Sequence, residues 1–234
     1  CNPIKEITKL AKQKGSLVLI DACQSLAHQK LDVIDLNIDF LAGSGHKLCG
    51  PTGIGFLWSR QEILEKIPPL FGGGEMIQDV FEESSTWAEL PHKFEAGTPA
   101  IAEAIGLAEA INYINTIGLN EIHEYEKNIT QYLFKKLNQI EDIEIIGPSP
   151  EIDPDRASLA TFYIKNIHSN DIAEILDSKG ICIRSGHHCC QPLHRYIGIK
   201  STARISMNFT TNKEEIDIFL EKLKETINFL KLNS

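Results

Sequence analysis

The sequence predicts an α/β chain in two parts: residues 1–117 on a mixed or parallel sheet with flanking helices, and residues 118–234 of α+β character. Three observations predict it. Short, nearly continuous apolar runs in "GSLVLIDACQS", "IDFLAGSGHK" and "TGIGFLWS" have the texture of buried strands. "FEAGTPAIAEAIGLAEAINYINTIGL" and "NEIHEYEKNITQYLFKKLNQI" carry helical patterning. Beyond them, short strands in "ASLATFYIK", "GICIRSG" and "ARISMNF" alternate with helices opened by "SNDIAEILDSKG" and "TTNKEEIDIFLEKLKETINFLKL".

The elements follow in order. Asn2 can cap a first helix, Pro3 suits its first turn and Gly15 ends it. The next run is expected to be a strand buried on both faces, with Asp21 at its carboxyl end, where ligands of α/β sheets bind. A Gly-rich connection between the following two strands carries Lys47, and "IPPLFGGGEM" marks a loop or hairpin excursion with "FEESS" on its solvated part. Thr98 as cap, Pro99 in the first turn and Gly118 at the end define a helix of about five turns. "GPSPEIDPDRASLATF" reads as a surface loop. In the last helix Thr211 and Glu214 fit a capping box, and Ile216, Leu220, Leu223 and Ile227 trace one apolar face.

Composition narrows the function classes. With 42% hydrophobic residues over 234 positions, the chain folds rather than remaining disordered. A formal charge of −9 argues against a sequence-independent nucleic-acid binder, which needs clustered Lys and Arg. No long apolar stretch and no secretory leader pattern is present, so the expectation is a soluble, cytoplasmic protein without membrane association, an organelle such as a plastid remaining open. Six cysteines in such a chain read as reduced thiols. Because it begins with Cys1 directly at a helix start, the sequence reads as a piece of something longer.

The densest chemistry lies in "CIRSGHHCCQPLHR", residues 182–195. Zinc is disfavoured by spacing, since the adjacent His187, His188, Cys189 and Cys190 cannot all converge on one tetrahedral ion and no C-x2-C pair exists. A nucleophilic or sulfur-handling cysteine fits better, because Arg184, His187 and His188 supply positive charge and donors that favour a thiolate. Cys190 reads more simply as a small apolar neighbour.

The first half supplies a partner chemistry. Asp21 at the end of one strand, Gln24 just after it and Lys47 beyond the next could surround one planar ring, with Ser44 and His46 able to bind an anionic group. A lysine Schiff base with an aspartate opposite a pyridinium nitrogen is the arrangement that pyridoxal phosphate needs.

The stretches "LIDACQSLAHQKLDV", "DFLAGSGHKLCGPTGIGFLW", "FEAGTPAIAEAIGL", "RSGHHCCQPLHR" and "ARISMNFTTNKEEID" resemble, in order and spacing, the C-terminal portion of SufS-type (group II) cysteine desulfurases. These are pyridoxal-phosphate enzymes of the class V aminotransferase family, with the type I, aspartate aminotransferase-like fold. The resemblance runs over essentially the whole chain. It implies that residues 1–117 are the C-terminal part of the large cofactor-binding domain and 118–234 the small domain with the catalytic cysteine loop. Family members carry a further N-terminal segment, with a histidine that stacks on the cofactor and more phosphate contacts.

Residue by residue, the resemblance implies that Lys47 carries pyridoxal 5'-phosphate and moves protons, that Asp21 pairs with the pyridine nitrogen, and that Gln24 bonds the phenolic oxygen. It gives Ser44 and His46 to the phosphate, and Thr98 to the phosphate of the neighbouring subunit's cofactor in a homodimer. It makes Arg204 the clamp on the substrate carboxylate, where a planar fork outperforms a point charge. It likewise implies that Arg184 is the active-site arginine upstream of the loop and that Cys189 is the nucleophile. L-cysteine would yield L-alanine and a persulfide on Cys189, passed to a SufE-like acceptor for iron–sulfur cluster assembly. The rival readings are selenocysteine lyase or cysteine sulfinate desulfinase activity, and a noncatalytic fragment that only binds a sulfur-transfer partner.

Overall fold

The computed structural model describes residues 1–233. Two units are distinguishable, Asn2–Asn120 and the chain from Glu121 onward together with Cys1.

In the N-terminal unit, α1 (Ile4–Gln13) precedes a three-stranded sheet of β1 (Leu19–Asp21), β2 (Phe40–Ser44) and β3 (Gly55–Ser59). The sheet is mixed: β1 runs parallel to β2, and β3 antiparallel to it. Val18, Ala22, Ile38 and Leu41 form one core cluster, with Ile4, Ala11, Ile20 and Trp58 packed against it. The period of two explains this set, since Ile20, Leu41 and Trp58 stand opposite one another in register and share one face. Gly43 stands on that face opposite Phe56; a Cβ there would lie 2.4 Å from the Phe56 ring and 2.9 Å from Leu26, so only glycine fits.

Asp39, 2% exposed, ties this unit together just before β2. It accepts from Lys12 Nζ at 2.5 and 2.6 Å and from the Val18 amide at 2.7 Å, with Arg60 Nε 3.6 Å away. Burial pushes its carboxyl pKa up, but the Lys12 bond, the Val18 amide and the charges of Lys12 and Arg60 outweigh it and leave the group below the ordinary value.

Two expectations need correction here. Pro3, not Asn2, is the residue before α1, and no side chain caps that helix. The strand β1 is not buried on both faces: it is the sheet's edge, and Leu19, on the face turned from the core, is 57% exposed. A continuous apolar run reports hydrophobicity on both faces but not whether anything lies against the second one.

After β3 come α2 (Gln61–Leu64) and a hairpin of β4 (Ile77–Val80) and β5 (Ser85–Trp87), whose turn contains the exposed Phe81 and the acidic pair Glu82 and Glu83. Next comes α3 (Ile101–Ile117), with Gly118 at its C-terminal end. Thr98 does not cap α3 and Pro99 is not in its first turn. The Ala104 amide bonds back to the Ala100 carbonyl, so Ala100 is the boundary and the free amides begin at Ile101.

The C-terminal unit holds an antiparallel sheet in the order β6-β7-β9-β8, with β6 (Ile143–Ile146), β7 (Leu159–Ile164), β8 (Arg184–Gly186) and β9 (Thr202–Ser206). On one face pack α4 (Leu119–Leu137), α5 (Ser169–Asp177) and α7 (Lys213–Leu232), while α6 (Gln191–Ile197) joins β8 to β9. Ile129, Leu133 and Phe134 of α4, Ile172 and Leu176 of α5, and Ile216, Leu220, Leu223 and Ile227 of α7 surround Ala160, Phe162, Ile164 and Ala203 of the sheet. Large Phe162 stands opposite small Ala203, which lets the layers interdigitate.

The strand β6 was not anticipated, and only Arg184–Gly186 of "GICIRSG" is strand. The capping box of α7 is one residue later than expected. Asn212 accepts from the Glu215 amide at 2.9 Å and Glu215 from the Asn212 amide at 3.0 Å, which displaces Thr211 and Glu214 from those roles. Both pairs obey the same spacing, and the extended backbone of Asn212 decides between them. Among the described residues, no helix is long and apolar enough to cross a membrane.

Candidate functional site

Two groups of residues, one in each unit, carry the chemistry singled out by the sequence. The first surrounds the carboxyl ends of β1 and β2. Ser44 closes β2, and the chain turns at once into a 3-10 turn, Gly45–Leu48, that holds His46 and Lys47. Gly45 is required there: a Cβ would fall 2.8 Å from the Ile54 side chain and 2.9 Å from its carbonyl oxygen, where the turn folds back toward β3. Ser44 Oγ and His46 Nδ1 lie 3.0 Å apart; Ser44 is half-buried, and His46 and Lys47 are exposed.

Asp21 ends β1 beside this turn, and a second 3-10 turn, Ser25–Ala27, with Gln24 at its head, packs against the Lys47 turn. The Asp21 carboxylate accepts from the Cys23 amide at 3.0 Å. That bond, the Cys23 thiol and the charge of Lys47 hold the carboxyl below its usual pKa against a small burial effect. The same arrangement acts oppositely on Cys23: the hydrogen bond to Asp21, burial and the carboxylate's charge push its thiol up, with Lys47 opposing. An ionised carboxylate and an exposed lysine therefore share one sheet edge with the Ser44 and His46 pair, and Gln24 stands exposed beside them. Cys23 was missed by sequence reasoning; its position two residues after Asp21 was the available signal.

Thr98 lies exposed in the segment ahead of α3, after Gly97, whose amide bonds to the Gly74 carbonyl. Among the described residues, no hydrogen bond joins it to the Asp21 and Lys47 group.

The second group is built on β8 and β9. Ala203 is in the core, so the alternation of β9 sends Arg204 to the face away from the helices, directly opposite Arg184 of β8. Two like charges facing each other across a ladder are unfavourable unless an anion lies between them. Burial and the charge of Arg184 pull the Arg204 pKa down, and Arg204 Nε donates to Ser206 Oγ at 3.0 Å.

From Gly186 the chain makes a tight turn through His187–Cys190. His188 and Cys189 both have positive φ, +50° and +61°, uncommon for residues with a Cβ, and the Cys190 amide closes the turn on the His187 carbonyl. The turn is pinned to β9 by His188 Nε2, 3.2 Å from the Thr202 carbonyl. Burial, with the charges of Arg204 and Arg184 and the proximity of His194, lowers the His188 pKa against that hydrogen bond. Cys189 is exposed, and Arg184 Nη2 reaches its Sγ at 3.6 Å. A cavity of about 510 Å³ is lined by Arg184, Ser185, His187, His188, Cys189 and Gln191, among others. An exposed thiol with a guanidinium donor beside it can take up sulfur or a carbon electrophile, and paired arginines can hold a carboxylate. Among the described residues, no group of three or more His, Cys, Asp or Glu is arranged to hold a metal ion.

Comparison with known proteins gives a consistent result. The aminotransferase class-V family model matches residues 1–219. A protein named probable cysteine desulfurase from Synechocystis is 54% identical over 97% of this chain and 54% of its own length. The apo structure of a cysteine desulfurase from Thermococcus onnurineus superimposes with a TM-score of 0.91 at 38% identity, covering 97% of this chain and 56% of that one. A C-DES variant with glycine covalently linked to its PLP cofactor superimposes with a TM-score of 0.79 at 25% identity, over 95% of this chain and 56% of that one. The chain thus spans about half the length of the relatives it matches.

Proposed function

Because this chain belongs to the aminotransferase class-V family, we propose that it forms part of a pyridoxal-phosphate-dependent cysteine desulfurase, converting L-cysteine to L-alanine with sulfur captured as a persulfide on Cys189. The relatives are nearly twice as long as this chain, and the activity proposed is that of a protein of their length.

The residues around Lys47 fit the cofactor. A carboxylate kept ionised at the head of the site suits a protonated pyridine nitrogen, and the Ser44 and His46 pair on the adjacent turn suits a phosphate. When bound, the cofactor supplies an electron sink for charge developing on the substrate's α carbon. In this reading the Lys47 amine holds the cofactor's aldehyde and moves the proton at the α carbon. Asp21 keeps the ring nitrogen charged, and Gln24 donates to the phenolic oxygen. Ser44 and His46 bind the phosphate, and Thr98 reaches the phosphate in the second subunit of a homodimer. Arg204, with Arg184 opposite it, orients the substrate carboxylate. Cys189 accepts sulfur, with Arg184 as a donor to the charge it carries. Residues 1–117 then complete a large cofactor domain and 118–234 make a small domain bearing the thiol loop.

The finer assignment is to the SufS type, in the cytoplasm, with a SufE-like acceptor drawing sulfur from Cys189 toward iron–sulfur cluster assembly. Support comes from the string Arg184-Ser185-Gly186-His187-His188-Cys189. The observation that carries the proposal is the exposed Cys189 thiol 3.6 Å from the Arg184 guanidinium, on a strand whose neighbour presents a second arginine.

The test is spectroscopic and chemical. The purified protein with pyridoxal phosphate should show a visible absorption band that Lys47→Ala abolishes, and should release alanine from L-cysteine. Cys189→Ala should stop persulfide formation while leaving the band. A band that survives Lys47→Ala, or a persulfide lost on changing Cys190 instead of Cys189, would overturn the assignments. Faster turnover of selenocysteine or cysteine sulfinate than of cysteine would move the substrate.

A further inference from the structure

The stretch that carries the thiol turn differs in charge from the rest of the chain. Residues 178–213 hold six Lys and Arg and no Asp or Glu, in a chain whose formal charge is −9. Lys179 is paired with Glu225, and Arg184 and Arg204 face each other beside Cys189. Arg195 and Lys200 take no part in the desulfurase reaction proposed above. Both are exposed, and among the described residues no carboxylate pairs with either.

These two cations line a second cavity, of about 410 Å³, with His187, Gln191 and His194 among its walls. His187 and Gln191 also line the Cys189 cavity, so the two cavities share a wall. Arg195 Nη2 donates to Gln191 Oε1 at 3.3 Å, which draws the guanidinium to the end of α6 that adjoins the thiol turn. At the other end of α6, Gly198 with φ +74° turns the chain back, and Lys200 comes to line the same cavity. The His194 and Arg195 carbonyls accept from the Ile199 and Gly198 amides, which weakens the negative end of the helix beneath the two cations. His194 itself is buried, its Nδ1 3.1 Å from the Cys190 carbonyl and its Nε2 3.0 Å from Thr202 Oγ1, so it is wall and not ligand.

We propose that this second cavity is a sulfur-acceptor site: it holds the carboxylate of a small anionic thiol while that thiol takes sulfur from Cys189. The inference rests on the persulfide reading given above. The acceptor, as its thiolate, attacks the outer sulfur of the Cys189 persulfide. A bond forms between the acceptor sulfur and the outer sulfur, the bond from the outer sulfur to Cys189 Sγ breaks, and its electron pair stays on Cys189 Sγ. The acceptor sulfur is oxidised and Cys189 Sγ is reduced to a thiolate, next to the Arg184 guanidinium that already reaches it at 3.6 Å. The outer sulfur keeps its proton and leaves as the acceptor's persulfide, so the step needs no further oxidant or reductant.

Charge and volume select the acceptor's class. The chain as a whole repels anions, so an anionic thiol is concentrated where unpaired cations stand free of carboxylates. A cavity of this size lies within the range of about 300–1,000 Å³ that suits a small molecule. With the substrate carboxylate given to Arg184 and Arg204, substrate and acceptor are recognised by different pairs of cations on either side of the His187 and Gln191 wall.

The experiment loads Cys189 by a single turnover of the cofactor-loaded protein with L-cysteine, removes small molecules anaerobically, and adds one of three thiols: anionic 3-mercaptopropionate, uncharged 2-mercaptoethanol or cationic 2-mercaptoethylamine. Loss of the extra sulfur from Cys189 is followed by peptide mass. Intrinsic reactivity cancels when each rate is expressed as wild type over variant. For Arg195→Gln combined with Lys200→Gln that ratio should be about five to ten for the anionic thiol, near one for the neutral thiol and below one for the cationic thiol. Each single variant should show part of the effect, about two- to threefold for the anionic thiol. Arg195→Lys combined with Lys200→Arg, which keeps both charges, should stay near one for all three. Raising salt from about 0.05 to about 0.5 M should erase most of the wild type's advantage with the anionic thiol. A ratio near one for the anionic thiol, or one raised equally for all three thiols, would overturn the acceptor site while leaving the desulfurase reading intact. No extra sulfur on Cys189 of the wild type would overturn both.

Discussion

The two units differ in how completely each encloses its own core. In the C-terminal unit, α4, α5 and α7 cover one face of a four-stranded sheet, and Phe162 at its centre is fully buried. In the N-terminal unit the cluster on the sheet is four small or medium residues on one face of three strands, with Met76, Leu107, Ala110 and Ile114 buried elsewhere in the unit, and on the sheet's other face Leu19 and Leu57 are more than half exposed. The Cys189 turn therefore stands on a scaffold held by apolar packing. The Lys47 turn stands on one whose sheet is held by a part-buried ion pair, close glycine contacts and a small apolar cluster.

The largest effect should come from the apolar scaffold. Phe162→Ala should cost about 3–5 kcal/mol, read as lost hydrogen-exchange protection of the β7 and β9 amides. A loss below about 1 kcal/mol would mean that this core is looser than its packing implies.

In the N-terminal unit the largest effect should instead be polar. Asp39→Ala strips Lys12 and the Val18 amide of their partner and should cost about 1–3 kcal/mol, measured in the same way at β1 and β2. The Asp39 carboxyl lies below its unfolded value, so its contribution is in place above the unfolded pKa and is lost as pH falls through the folded one. Acid should therefore loosen β1 and β2 on the low side of the ordinary carboxylate range, and the Asp39→Ala protein should lack that step.

Asn212→Ala removes one half of the α7 capping box and should cost about 0.5–2 kcal/mol, seen as fraying of the first turn of α7. Leu19→Ser should change stability by less than about 0.5 kcal/mol. A cost several times larger would mean that the exposed face of β1 is covered in the working protein. The smallest effect is a titration. Glu225, bonded to Lys222 and Lys179, should titrate at about 2 by carboxyl carbon resonance, and a midpoint near 4.5 would dissolve the pairing.

Much of this was legible in the chain itself. The α7 face of Ile216, Leu220, Leu223 and Ile227 is buried as its spacing requires, because a period of 3.6 carries its own direction. The mixed sheet, the turn holding Lys47 and the loop holding Cys189 were readable for the same local reasons. The misreadings were boundaries and environments. Thr211 satisfied a capping pattern that Asn212 satisfied equally well, while α3 starts after Ala100, which has no capping side chain; backbone geometry set both boundaries. The short strand β6 carried too few residues to announce itself.

Residue types and their order were there in the unfolded chain: a lysine and an aspartate at strand ends, and a thiol in a tight polar loop after an arginine. It took the folded arrangement to establish that Arg184 faces Arg204, that Cys189 rather than Cys190 is presented to solvent beside a guanidinium, and that Cys23 bonds Asp21. Periodicity and capping are properties of neighbouring residues, so the chain announces them. Charge pairing, exposure and pKa depend on which distant strand lies 5 Å or so away, and that is set by register.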